Sequence, residues 1–101
     1  MIDPLELHHA GLDKYLDMPP GLDGYWWETD DFICVPVVIA KRKGAFSLFL
    51  KELSAKNKTI FFPTIISAKL DALLRAKGFQ DAYIKDEMMG IVDGLALVRE
   101  R

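Results

Sequence analysis

The stretch Phe-Ile-Cys-Val-Pro-Val-Val-Ile-Ala, from Phe32 to Ala40, constrains this chain more than any other. Phenylalanine, valine and isoleucine are the residues that fit a pleated, packed surface, so the run predicts a strand. Its apolar side chains occupy both alternating faces, which predicts cover on both sides of that strand. Pro36 has no N–H to donate, so a bulge or a missing ladder bond is expected there. The run stops at Lys41-Arg42-Lys43-Gly44. A helix is predicted immediately afterwards, from about Ala45 to Lys56, with Phe46, Phe49, Leu50 and Leu53 on one face. Asn57 and Lys58 close it.

The remaining segments follow from the same rules. Asp3 and Pro4 read as an N-cap and first helical position. Leu5, His8, Leu12, Tyr15 and Leu16 then lie near one face of a helix running to about Asp17. Gly11 weakens that helix, and Pro19, Pro20 and Gly21 end it. Tyr25–Glu28 predicts a short aromatic strand, and Thr29, Asp30 and Asp31 a turn. Thr59–Phe62 predicts a second buried strand, ended by Pro63 and Thr64. Ser67 fits an N-cap for a helix through Lys77, with Gly78 just past its end. Residues from Gln80 to Met89 predict a strand, Gly90 to Asp93 a turn and Leu95 to Val98 a last strand. Strands alternating with helices, then a strand pair, imply one α/β (α+β) domain over residues 1–101 with a mixed sheet.

Bulk properties exclude several classes. The formal net charge is −2 with a pI of about 5.6, so nothing in the total charge favours nucleic acid or an acidic membrane surface. Lys41–Lys43 is too local a cluster to change that. Cys34 is the single cysteine, which rules out an internal disulfide framework. Met1 to Leu7 carries two acidic residues and no basic one, unlike a signal peptide, and no apolar run reaches bilayer length. A cytoplasmic protein is expected, in the host cytoplasm if the source is viral. A chain this short buries little surface. With its two tryptophans, that points to a homodimer.

Few residues have side chains suited to chemistry. His8 and His9 are adjacent and diverge on a helix, and with one thiol there is no zinc spacing, so no metal site is predicted. Cys34 in an apolar strand reads as a small hydrophobe; a Cys34–His9 nucleophilic pair has no local support. Glu28, Asp30 and Asp31 are turn formers, or else carboxylates placed to accept a proton. Trp26 and Trp27 point to opposite faces, as core packing, a partner surface or a lid. The loop Lys41–Gly44 is the strongest candidate. The first N–H groups of a helix lack internal partners and lie at the positive end of its dipole, so a basic glycine loop entering a helix favours an anion. It lacks the glycine and Lys-Ser/Thr spacing of a nucleotide P-loop and the three glycines of a dinucleotide fingerprint. On spacing alone it also reads as a solvated basic turn.

Lys43-Gly44-Ala45-Phe46-Ser47-Leu48-Phe49-Leu50 resembles the loop-to-helix segment of the GNAT N-acyltransferases. That segment has Gln or Arg, two residues, Gly, one residue, then Gly or Ala. Lys41 stands at the Gln/Arg position, Gly44 at the first Gly and Phe46 at the last small residue. Ser67 to Phe79 resembles the family's next signature, with Ser67 at its Asn, Leu74 at its Tyr, and Gly78-Phe79 matching. Asp93-Gly94-Leu95 to Arg99 resembles its last strand. The likeness covers about two-thirds of the chain, and in compactness the chain resembles phage-encoded acetyltransferase-like proteins.

The resemblance implies a GNAT-like mixed, largely antiparallel sheet with flanking helices, shortened at its N-terminus. Residues 1–31 would be a variable helix and short strand, and 32–101 the cofactor-binding half. It implies acetyl-CoA, or another coenzyme A thioester, as co-substrate and an amine of a small molecule or protein lysine as acceptor. Val37, Val38 and Ile39 would contact the pantetheine arm, Lys41, Arg42, Lys43, Gly44 and Ala45 the pyrophosphate, and Ser67 the cofactor arm. From its place before the buried strand, Glu28 or Asp31 is the candidate to take the amine proton. Three departures stand out: Phe46 for a small residue, Leu74 for a tyrosine that protonates the leaving thiolate, and the short N-terminal region. The missing tyrosine and the short N-terminal region favour an alternative, a non-catalytic module of the same fold that binds a partner protein.

Overall fold

A computed structural model of the chain describes residues 5–7, 16–28, 32–63, 65, 67–86 and 90–98. The elements in chain order are β1 (Leu5–Leu7), β2 (Leu16–Asp17), β3 (Leu22–Glu28), β4 (Phe32–Ala40), α1 (Ala45–Ala55), β5 (Thr59–Pro63), α2 (Ala68–Ala76), β6 (Gln80–Asp86) and β7 (Gly90–Leu97). They make an α+β fold built on one seven-stranded sheet in the order β1-β6-β7-β5-β4-β3-β2. Pairing is antiparallel for β2–β3, β3–β4, β5–β7 and β6–β7, and parallel for β4–β5 and β1–β6.

The two apolar faces of β4 are used as its composition predicts. Ile33 and Val35 join a cluster with Phe49, Leu50 and Leu53 of α1 and Leu74 of α2, so both helices pack on one face of the sheet. Phe32 and Cys34 join a second cluster with Trp27, Phe61, Ala82, Ile84 and Ala96 on the other face. The neighbouring tryptophans alternate in the same way: Trp27 stacks on Phe32 at 5.7 Å, and Trp26 meets Phe49 edge-on at 5.8 Å. The predicted irregularity at Pro36 is a bulge. Tyr25 pairs with Val37 and Trp27 with Cys34, so Trp26 alone faces Val35 and Pro36 together.

The β4–β5 ladder runs only from Phe32↔Thr59 to Cys34↔Phe61. β4 then continues to Ala40 bonded to β3 alone, while β5 turns its pairing to β7 as far as Pro63↔Gly94. The two parallel strands part, and among the described residues the far half of β4 has one edge outside any ladder.

Two expectations are corrected. The N-terminal helix is not formed where the chain is described: Leu5–Leu7 is a strand parallel to β6, and Leu16–Asp17 is a strand on β3. Ladder bonds to strands far along the chain replace the local bonds of a short, glycine-interrupted helix. Residues 8–15 lie outside the described residues. The turn expected at Gly90–Asp93 is the first half of β7, paired from Gly90↔Asp86 to Asp93↔Tyr83. Gly90 adopts a φ of +77°, which its missing side chain permits. The strand expected up to Met89 is described as far as Asp86.

Candidate functional site

A cleft of about 420 Å³ lies on the helical face, beside the half of β4 that β5 leaves. Val38 and Ala40 of β4 form one wall, and Leu70 and Leu73 of α2 another. Gly44, Phe46 and Ser47 at the start of α1, and Ser67 at the start of α2, bring the N-terminal ends of both helices to the same opening. Among the described residues, Arg42, Lys43 and Lys69 are the charged members of the lining, and no carboxylate is one of them.

Local sequence explains why these groups meet. Gly44 is the N-cap of α1 in the left-handed region, φ 83° and ψ −12°, with no side-chain cap. A Cβ built on it would meet nothing within 4 Å, so the approach to the helix is open. The Ala45 N–H closes a turn onto the Arg42 carbonyl at 3.1 Å, and Leu48 N–H bonds the Gly44 carbonyl. The amides between them belong to the first helical turn, which has no intrahelical acceptor. At α2 the Ser67 hydroxyl accepts from the Leu70 N–H at 3.2 Å, so that end is capped as predicted. Phe46 packs edge-on against buried Phe62 at 5.9 Å while also lining the cleft, so its ring narrows the site without filling the loop.

The expected cofactor residues divide. Val38, Arg42, Lys43, Gly44 and Ser67 line the cleft. Val37 and Ile39 alternate to the other side of β4. The Lys41 ammonium sits 2.8 Å from the Asp23 carboxylate, and the Lys41 backbone N–H donates to the Gly21 carbonyl, also at 2.8 Å. The hydrogen bond to Asp23 raises the Lys41 pKa, and the pair draws that charge toward β3. Ala45 packs beside Gly21, where an added Cβ would stand 2.9 Å from its own. Sequence reasoning missed Lys69, which lies two residues beyond the Ser67 cap. Its exposed place in the first turn of α2 was the available signal.

The expected catalytic residues are not brought to the cleft. Asp31 lies outside the described residues. Glu28 pairs with Ile33 near the start of β4, five residues and roughly 17 Å of strand from Val38. There it binds Lys58 at 2.9 Å and Lys56 at 3.5 Å. Burial disfavours the Glu28 charge, but the Lys58 hydrogen bond and both ammonium charges outweigh it and hold its pKa below the ordinary value. A carboxylate so engaged is a weak proton acceptor.

Leu74, at the tyrosine position, is wholly buried in the helical-face core. Cys34 is buried among apolar neighbours, and burial pushes its thiol up to about 12, which leaves it without a nucleophilic thiolate. Trp26 is pinned by its Nε1–H to the Asp17 carbonyl at 3.2 Å with the Lys56 ammonium 5.7 Å above its ring. Trp27 is in the core. Neither tryptophan forms a lid on the cleft.

No family model, curated protein or solved structure matches this chain. Among the described residues no helix is long and apolar enough to cross a membrane, and no group of three or more histidine, cysteine or acidic side chains is placed to hold a metal ion.

Proposed function

We propose that this chain is a GNAT-like protein that binds an acyl-coenzyme A, acetyl-CoA in the first instance, and passes its acyl group to an amine. The observation that carries the reading is the cleft where β4 loses β5. A strand edge outside any ladder, an uncapped helix N-terminus and three cations without a carboxylate meet there. The free edge of β4 suits the amide-bearing pantetheine arm, because both are extended chains of hydrogen-bonding groups. Arg42, Lys43, Lys69 and the first turn of α1 suit a pyrophosphate. The donor set is cationic and hydrogen-bonding throughout, as that ligand requires.

Transfer would form a C–N bond at the thioester carbonyl and break the C–S bond. The proton leaves the amine for solvent, and the departing thiolate takes one from solvent. Among the described residues of the cleft, no carboxylate, histidine or tyrosine stands ready for either transfer. That same observation favours a second reading, in which the fold and ligand site are kept and the protein acts by binding a partner protein.

Calorimetric titration with acetyl-CoA, wild type beside the double variant Arg42→Glu/Lys69→Glu, tests the first reading. Both side chains are exposed, so the variant keeps its fold, whereas a substitution at Gly44 adds backbone strain. Micromolar binding by the wild type and a loss of at least about a hundredfold in the variant is expected, since two charge-assisted contacts become repulsive. A wild type that binds no acetyl-CoA would sink the reading. Binding without turnover across a panel of amines would select the partner-binding alternative.

A further inference from the structure

The basic side chains of the described residues fall into two groups. Lys41, Lys56, Lys58 and Arg75 are held in ion pairs, and Lys85 is engaged elsewhere. Arg42, Lys43, Lys51, Lys69 and Lys77 take no acidic partner among the described residues. The unpaired group is not scattered. Arg42, Lys43 and Lys69 border the cleft between β4 and α2. Lys51 and Lys77 border a second cleft of about 410 Å³, between α1 and the far end of α2. Among the described residues no carboxylate borders either one.

The two clefts adjoin. Ser47 lines both, and the second continues along α1 through Leu50, Lys51 and Ser54. Those positions share one face of the helix, and from Gly44 to Ser54 the helix advances about 15 Å. Beneath them the rings are continuous. Phe46 in the first cleft touches Phe62, and Phe62 meets Phe79 of the second at 5.6 Å. One apolar floor therefore carries a cationic rim at two separated places. In a chain of net charge −2, unpaired cations so grouped signal an anion at each place, because ordinary solubilising lysines lie interspersed with carboxylates.

Building on the acyl-coenzyme A reading, we propose that the two clefts are one groove holding one extended ligand, and that Lys51 and Lys77 bind a second anionic group, the phosphomonoester on the ribose of coenzyme A. A phosphomonoester carries nearly two negative charges at neutral pH, about the demand two lysines meet. The Ser47 and Ser54 hydroxyls supply neutral donors at the same wall. The groove then distinguishes ligands by the presence of a second phosphate about one to two helical turns from the first, and it favours coenzyme A thioesters over acyl carriers that end at the pyrophosphate.

The test is a calorimetric comparison of coenzyme A with 3′-dephospho-coenzyme A, on wild type and on Lys51→Gln/Lys77→Gln. Both lysines are exposed, and circular dichroism checks that the variant folds. The wild type is expected to prefer coenzyme A by about tenfold, the worth of a net charge-assisted contact. The variant should bind both ligands equally, with its dephospho-coenzyme A affinity within about twofold of wild type. Equal affinity of the wild type for the two ligands overturns the proposal and leaves the acyl-coenzyme A reading standing. So does a variant that weakens both in parallel, because Lys51 and Lys77 would then act only through overall charge. A wild type that binds neither ligand removes both.

Discussion

Gly94 shows how much a single residue can hold. It lies in β7 where that strand is wedged between β5 and β6, paired with Pro63 on one side and Ala82 on the other. A Cβ there would stand 2.2 Å from the Phe62 carbonyl oxygen and 2.8 Å from the Pro63 Cα. Both are backbone atoms in the middle of a sheet and cannot swing aside. Gly94→Ala is therefore expected to destabilise by about 2–3 kcal/mol in urea unfolding, in the range of overpacked interiors. Gly44→Ala is the control. Its Cβ enters open space, and only the φ of 83° opposes it, at about 1 kcal/mol. In the sequence Gly44 reads as a loop residue, and Gly94 falls between the turn expected at Gly90–Asp93 and the strand expected from Leu95. The difference between them is what approaches from other strands.

At the scale of elements, local rules succeeded where local bonds do the holding. The Ser67 hydroxyl caps α2, Asp71 and Arg75 pair at 2.9 Å one turn apart, and Gly78 ends the helix with a φ of 98°. These partners lie within a few residues of one another, so their spacing announces them. Ser67→Ala removes the cap and is expected to cost about 1 kcal/mol in chemical denaturation, with Ser67→Asp retaining most of the stability. Leu5–Leu7 and Gly90–Asp93 failed for the converse reason. Each is a strand because of a partner far along the chain or across a hairpin, and neither partner is visible in a short window. The site followed the same division. Arg42, Lys43, Gly44 and Ser67 sit at helix starts and were legible. Lys69, Leu70 and Leu73 entered the cleft only because α2 lies beside β4.

For the whole molecule, the sheet order brings distant charges together. Glu28 ends β3, and Lys58 precedes β5, yet β4 between them holds the pair at 2.9 Å. The Glu28 pKa is lowered from its ordinary value of 4.5 on folding. A depressed folded-state pKa contributes stability above the unfolded value and loses it as pH falls through the folded value. Wild-type stability should thus decline below about pH 4.5. Glu28→Gln should be less stable than wild type at pH 7 and should show a shallower decline between pH 5 and pH 3, with the two curves converging. Urea midpoints across that range measure it, and parallel curves would count against the pair.

By itself the sequence determined the strand Phe32–Ala40, an irregularity at Pro36, both helices with their end signals, and the basic glycine loop where β4 runs into α1. Each depends on propensity, side-chain period or bonds between near neighbours, which the order of residues encodes directly. Tertiary structure decided the position of β7 between β5 and β6, the parting of β4 from β5, the pairing of Lys41 with Asp23, and the gathering of unpaired cations along one groove. Those depend on which strands pair across the chain, and strand pairing is settled by burying both faces of the sheet at once. No short window of sequence contains that condition.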